Sequence, residues 1–274
     1  MTRVGCVLET DSPLISVLIP GYNDLDGVRR ILDKIPVCEV NKGTIEVLLS
    51  DDSPDFMIGK VILASDAYTH VTVFSGPKRG GVANWNALLR KSNGRFVQFV
   101  HHDESPESLM FFTNLLSLCS QSPRILFHSC VLRRKKRDLV HCRSFLLKLS
   151  RKYVPEYYLR RNIFGSPSNF CVPRSELQFF NESLIFYVDV DWYSRFSKDL
   201  PWESTGLTML SFDNPDSITS DLRKKGLTKV KRQEALSLKG KVPRLSFLLA
   251  AIEILYLMNR VYNFLILPVL RVSK

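Results

Sequence analysis

Hydrophobic positions in the first hundred residues follow two alternating rhythms. Ile15-Ser16-Val17-Leu18-Ile19 is a short, β-branched run closed by Pro20-Gly21, the signature of a buried strand. From Gly27 to Ile35 the apolar residues Val28, Ile31, Leu32 and Ile35 fall on one helix face. The strand rhythm returns at Ile45–Leu49, at His70–Phe74 and at Phe96–Val100, and a second helical stretch covers Val82–Arg90. Strands that are apolar throughout, separated by helices, predict a mostly parallel sheet covered on both faces. Ligands of such sheets bind at the carboxyl ends of the strands. Four segments stand there: Pro20 to Asp24, Asp51 to Asp55, Gly76 to Asn86, and His101 to Glu104.

The second half is less regular. Arg133-Arg134-Lys135-Lys136-Arg137 is a basic block that reads as an exposed turn. Between Phe164 and Trp192 come a Gly165-Ser166-Pro167-Ser168 loop, a strand-like Phe170-Cys171-Val172 and a helix opening near Val188. Residues 222–244 are strongly basic, with Arg223, Lys224, Lys225, Lys229, Lys231, Arg232, Lys239, Lys241 and Arg244; residues 245–270 are strongly apolar. The expected organisation is a catalytic α/β domain over 1–220 and a helical, basic-apolar extension over 221–274.

Composition narrows the function classes. With 274 residues, 45% of them hydrophobic, the chain can bury a full core, and 24% charged residues is not a disordered composition. A net charge of +11 points to an anionic partner: nucleic acid, an anionic membrane or a phosphorylated substrate. The six cysteines form no CxxC pair and sit mostly in apolar runs, as reduced buried thiols do. No run of eighteen uninterrupted apolar residues and no signal-peptide pattern occur, which suits a cytoplasmic protein.

Four segments carry candidate chemistry. In His101-His102-Asp103-Glu104, adjacent carboxylates at a strand end can hold Mg²⁺ or Mn²⁺ together with substrate phosphates, or simply cap a helix starting near Ser105-Pro106-Glu107. In Asp51-Asp52-Ser53 a carboxylate can accept from a uracil N–H or a ribose hydroxyl, or close an Asx turn before Pro54. Gly76 to Asn86 places glycines before a helix, where backbone N–H groups face an anion, with Lys78 and Arg79 adding charge. It is not a Walker A loop, since Val82 and Ala83 stand where Lys and Ser/Thr are needed, and no GxGxxG follows the first strand. In Tyr187-Val188-Asp189-Val190-Asp191-Trp192 the two acids cannot share one helix face; one can serve as a general base while the other caps.

Taken in order, these pieces resemble the family 2 glycosyltransferases of the glycosyltransferase A fold. The resemblance runs from Ile15–Asp24 through Glu46–Ser53, Gly80, Asn84-Trp85-Asn86, Gly94-Arg95-Phe96, His101–Glu104, Gly165–Ser168 and Phe180–Leu184 to Asp189–Trp192. It implies that Pro20, Tyr22, Asn23 and Asp24 line the nucleotide pocket with Asp52 near the base or ribose, helped by Gly80, Asn84, Asn86 and Asp103. It implies that Asp103 and Glu104 bind Mn²⁺ or Mg²⁺, that Asp189 is the base, and that Ser166, Ser168, Asp191 and Trp192 lie on the acceptor side. The implied reaction is inverting, metal-dependent transfer of a hexosyl group from a nucleoside-diphosphate sugar, with a UDP-linked donor, to a saccharide hydroxyl. Three positions depart from the pattern: His101 stands for the first Asp of Asp-x-Asp and Glu104 for a common Asp, Val188 replaces the Glu before the base, and Lys78 occupies a position often held by Asn. The second departure leaves Asp189 and Asp191 both open as base.

The tail completes the expectation. Basic residues beside an apolar amphipathic segment suit an anionic bilayer surface, each near-surface charge adding roughly 1 kcal/mol. The resemblance accordingly implies an acceptor on a polyprenyl diphosphate lipid, bacterial surface-polysaccharide assembly (O-antigen or capsule), and a peripheral place at the inner face of the cell membrane. The same helices could instead pack on protein. Two other classes stay in view: a sugar-phosphate nucleotidyltransferase, which lacks its usual Gly-rich loop here, and a non-catalytic basic nucleotide- or nucleic-acid-binding protein. No RNA-binding or helix-turn-helix motif stands out, so nucleic acid is not an expected partner.

Overall fold

A computed structural model describes residues 12–134, 137–140, 162, 164–197, 199–212, 226–238, 254, 257 and 258. Four parallel strands form half of its sheet: β1 (Ile15–Gly21), β2 (Ile45–Asp51), β3 (Thr72–Ser75) and β4 (Phe96–Phe99), in the order β3-β2-β1-β4. All seven residues of β1 are buried. Ile15, Val17 and Ile19 face one apolar layer and Leu18 the other, so both faces are covered and no polar alternation remains. β3 is shorter than the run 70–74 suggests. It pairs only with the carboxyl end of β2, from Leu48↔Thr72 to Asp51↔Ser75, and Val71 N–H closes a turn onto the Tyr68 carbonyl instead.

The crossovers carry α1 (Leu25–Leu32), α2 (Val37–Asn41), α3 (Met57–Leu63) and α4 (Gly81–Lys91). α1 starts earlier than its apolar spacing because Asp24 caps it, Oδ1 accepting from Gly27 N–H at 2.8 Å.

Beyond β4 the sheet changes character. β8 (Phe170–Pro173) pairs antiparallel with β4 and with β6 (Ile125–Arg134); β6 runs parallel to β9 (Trp202–Phe212) and antiparallel to β7 (Arg137–Val140); β5 (Glu104–Pro106) pairs antiparallel with β9. The whole is a nine-stranded sheet flanked by helices, parallel on one side and mixed on the other. Opposite His128 of β6, β9 carries three residues around Gly206, whose φ is +71°. This bulge lets the buried His128 ring reach Thr205 Oγ1 and Gln98 Oε1, each at 2.8 Å.

The segment Ser105-Pro106-Glu107, expected to open a helix, belongs to a sheet edge. Ser105 and Pro106 pair with Leu210 and Met209, and Glu107 N–H donates to the Thr208 carbonyl at 3.0 Å. The next helix, α5, runs from Phe111 to Cys119. Arg133 and Arg134 end β6 and Arg137 opens β7, so the basic block straddles a hairpin; Lys135 and Lys136 lie outside the described residues.

Two more helices matter for the site: α6 (Val188–Ser194) and α7 (Leu227–Ser237). α7 falls in the expected extension yet bonds to the segment that leads into α6. Glu234 is buried, and its carboxylate accepts backbone N–H bonds from Ile185, Phe186 and Tyr187, just ahead of α6. Most of the apolar tail lies outside the described residues; Ile254, Leu257 and Met258 are helical and exposed. Among the described residues no helix is long and apolar enough to cross a membrane.

Candidate active site

The carboxyl ends of β1, β2 and β4 converge. At the β2 end Asp51 turns inward: its two carboxylate oxygens accept from Ser53 N–H and Gly59 N–H, both at 2.9 Å, fixing the loop and α3. Asp52 is directed to the third strand's loop, where Oδ1 accepts Lys78 N–H at 2.6 Å. Lys78 has φ +55°, a left-handed turn where Asn is at ease and Lys is not; its ammonium donates to the carbonyls of Asp51 and Ser53. Gly76 is required beside them, since a Cβ there would stand 2.5 Å from Asp52 Oδ1. At the β1 end Asn23, also at positive φ, donates its N–H to Ser53 Oγ at 2.8 Å, and Tyr22 is exposed. Gly80 precedes α4 in open space, and no side chain caps that helix, so its first N–H groups face outward.

Glu104 opens β5 with its side chain buried, and Ser166 Oγ donates to both carboxylate oxygens, at 2.6 and 2.8 Å. His101 N–H donates to Ser168 Oγ at 3.1 Å, and the His101 ring stacks on Trp85 with centroids 4.7 Å apart. His102 contacts the Pro20 carbonyl through Nδ1 at 3.2 Å. Its own carbonyl lies so near α1 that a Cβ on Gly27 would be 2.1 Å away. These contacts lock the His-His-Asp-Glu segment against β1, α1 and the Ser166–Ser168 loop.

Acids crowd here, and the Arg30 and His102 charges only partly offset the burial of Asp103. Burial, followed by the charge on Asp103, pushes the Glu104 carboxyl up to about 8; the Asp189 charge adds to the rise, and the serine hydrogen bonds oppose it. Burial also raises Asp103, with Asp24 contributing. Burial holds His101 neutral, near 3. One atom from each of His101, Asp103 and Glu104 lies within 4.8 Å of the others. His101 Nδ1 is 3.8 Å from Glu104 Oε2, and the buried His101 Nε2 has no hydrogen-bond partner. Two ligands sharing one ion at ~2.1 Å stand roughly 3–4 Å apart. That gap fits two ligands around an ion and is too long for a hydrogen bond. A neutral imidazole whose Nδ1 faces one of two desolvated carboxylates is a donor set suited to a divalent cation.

α6 separates its two acids. Asp191 is buried and paired with Arg195 of the next turn, Oδ2 to Nε at 3.1 Å. Asp189 is half-buried; the protein packed around it pushes its carboxyl up to about 7, and the Asn162 amide stands 3.5 Å from Oδ2. The Asp189 charge reaches Glu104.

Several residues expected to touch ligands hold the scaffold instead. Asn84 is buried, its amide and the Ser50 hydroxyl and carbonyl bonded together, which ties α4 to β2. Asn86 accepts from Phe180 N–H at 2.8 Å and donates to the Phe180 carbonyl and to Glu182. Trp192 is 1% exposed, stacks on Phe180 and donates to the Gln178 carbonyl. Ser166 and Ser168 serve Glu104 and His101. In each case the polar group is already spent within the protein. Asn162 and Glu234 were not singled out from sequence, because their partners lie far along the chain in segments without periodicity.

A half-parallel sheet, acids gathered at its carboxyl ends and helices on both faces define the glycosyltransferase A fold, which solved structures of low identity share. TarS of S. aureus in complex with UDP-GlcNAc superposes with a TM-score of 0.55 at 16% identity, over 75% of this chain and 60% of that one. A mannosyltransferase from Pyrobaculum calidifontis in complex with GDP-Man and Mn²⁺ gives 0.55 at 16%, over 94% and 71%. Glucosyl-3-phosphoglycerate synthase from Mycobacterium tuberculosis, with Mn²⁺, UDP and glucosyl-3-phosphoglycerate, gives 0.51 at 17%, over 85% and 81%. The chain thus spans about 60% of the TarS chain it matches. No curated protein matches it in sequence. The model of glycosyl transferase family 2 matches residues 16–174, more than half of the 274, and the chain belongs to that family.

Proposed function

We propose that this chain is a metal-dependent, inverting glycosyltransferase that moves a hexosyl group from a nucleoside-diphosphate sugar, UDP-linked, to a hydroxyl of a saccharide acceptor. The observation that carries the reading is the group of acids, with Asp103 and Asp189 each in electrostatic reach of Glu104, and His101 Nδ1 3.8 Å from the Glu104 carboxylate. Pro20, Tyr22, Asn23, Asp24, Asp52 and Gly80 line the nucleotide, with the outward N–H groups of α4 toward its phosphates. Asn84 and Asn86 act behind them as struts. His101, Asp103 and Glu104 hold Mn²⁺ or Mg²⁺, and Ser166 orients Glu104. When bound, the cation offsets the diphosphate charge and stabilises it as leaving group.

Asp189 supplies the base. Its carboxyl near neutrality can take a proton from the acceptor hydroxyl and is not tied up by a cation as Asp191 is. As that oxygen attacks the anomeric carbon, its proton passes to Asp189. The bond from the anomeric carbon to the phosphate oxygen breaks, and the nucleoside diphosphate leaves with the electron pair. Attack opposite the leaving group inverts the anomeric centre.

For the acceptor, we favour a saccharide on a polyprenyl diphosphate at the inner face of the cell membrane, in bacterial surface-polysaccharide assembly. Exposed Ile254, Leu257 and Met258, which follow a basic segment in the sequence, support contact with an anionic bilayer. The test is calorimetric binding of UDP- and GDP-sugars with and without Mn²⁺, then release of nucleoside diphosphate on adding lipid-linked acceptors. Sugar-nucleotide binding that ignores Mn²⁺, or nucleic-acid binding alone, would overturn the reading.

A further inference from the structure

α6 carries Asp189 but does not stabilise its own start. Its N-cap is Tyr187, which makes no side-chain cap hydrogen bond. The lead-in is instead gripped from α7. Glu234 receives Ile185 N–H at 2.6 Å and Tyr187 N–H at 2.9 Å, and its two oxygens share Phe186 N–H at 3.2 and 3.0 Å. One turn earlier on the same helix, the Lys231 ammonium lies 4.4 Å from the centre of the Phe186 ring. Glu234 is only 7% exposed. A buried carboxylate that satisfies three successive amides fixes that backbone far more firmly than a solvated loop could be fixed.

We infer that Glu234 is a positioning residue for Asp189: through residues 185–187 it sets the start of α6, and so makes α7 part of the catalytic unit rather than of a separable extension. The inference rests on the role given above to Asp189. The reason is mechanical and electrostatic. Asp189 lies in the first turn of α6, one residue past Val188. Freeing the lead-in lets that turn move relative to Glu104, and removes a negative charge that offsets the positive helix end. Both changes ease ionisation of Asp189. Among the described residues, Glu104 feels the Asp189 charge, Lys231 of α7 lies over the Phe186 ring of the lead-in, and Asp191 of α6 is held by Arg195 at its C-cap.

The test compares the wild-type chain with Glu234→Gln and Glu234→Asp by three readouts. Amide hydrogen exchange should accelerate at least tenfold at 185–187 in Glu234→Gln. The Asp189 carboxyl, followed by ¹³C NMR without substrate, should titrate at lower pH than in wild type. Turnover should fall tenfold or more while nucleotide affinity stays within threefold, with Glu234→Asp intermediate in all three. Unchanged exchange and an unchanged Asp189 titration would overturn the inference, and so would turnover loss with the titration unmoved. If Glu234→Gln does not fold, Glu234→Asp must show the same directions, or the inference fails. The first two readouts need no transfer activity. A moved titration in a chain that transfers no sugar therefore sinks the proposed function and leaves the positioning standing.

Discussion

Replacing Asp189 with Asn tests the proposed base and the packing around it together. The carboxyl rises from 3.8 to about 7 because folding surrounds it with protein. If it must be ionised to accept the acceptor's proton, kcat/KM should be half-maximal near pH 7 and fall about tenfold per pH unit below that. Asp189→Asn should lower turnover by roughly 10²- to 10⁴-fold and leave nucleotide affinity nearly unchanged. The stability effect has the opposite sign. Between about pH 4 and pH 7 the folded chain holds a proton at Asp189 that the unfolded chain has lost, so this site's contribution to stability declines as pH rises through that window and is flat above it. At about 1.4 kcal/mol per pH unit the cost approaches ~4 kcal/mol, and screening at a half-exposed group brings it nearer ~2 kcal/mol. Asp189→Asn escapes this cost, so it should be the more stable protein at pH 8 by ~2 kcal/mol and about equal at pH 4. Nucleoside-diphosphate release from pH 5 to 9 and thermal melts of both proteins measure these effects. A flat acid limb, unchanged transfer, or an Asn variant less stable than wild type at pH 8 would refute the reasoning.

Further outcomes follow from the same contacts. Asp191→Asn should cost ~1–2 kcal/mol in thermal melts by weakening the Arg195 pair, with turnover within about threefold of wild type; a loss comparable to that of Asp189→Asn would reverse the two roles. Asn86→Ala should cost ~1–3 kcal/mol, since Phe180 N–H loses its acceptor within the core; a variant that melts like wild type would mean water replaces the amide. His101→Ala should weaken Mn²⁺ binding more than Mg²⁺ binding in titration calorimetry, because an imidazole nitrogen favours the transition metal; equal losses would show that the ring does not ligate.

Much of the scaffold is written locally. Runs such as 15–19 and 45–49 can only be buried on both sides, and four strand-end segments mark where chemistry collects. Chain-order motifs likewise pointed to the family. The segment at 105–107 misled because its hydrogen-bond partners are a hundred residues away in β9. Asp-rich and Asn-rich motifs also say nothing about which oxygen is spent. Asp51, Asn84 and Asn86 read like ligand contacts and turn out to be struts.

The sequence by itself determined the parallel half of the sheet and the inventory of acids at its strand ends, because apolar periodicity and strand-end polarity are short-range properties. Tertiary structure decided the rest. It separated Asp189 from Asp191 by giving one of them Arg195, put the His101 imidazole beside Asp103 and Glu104, and bound α7 to the lead-in of α6 through Glu234. Each of those outcomes depends on which groups lose water and which partner they meet across long stretches of chain, and spacing along a sequence carries no record of that.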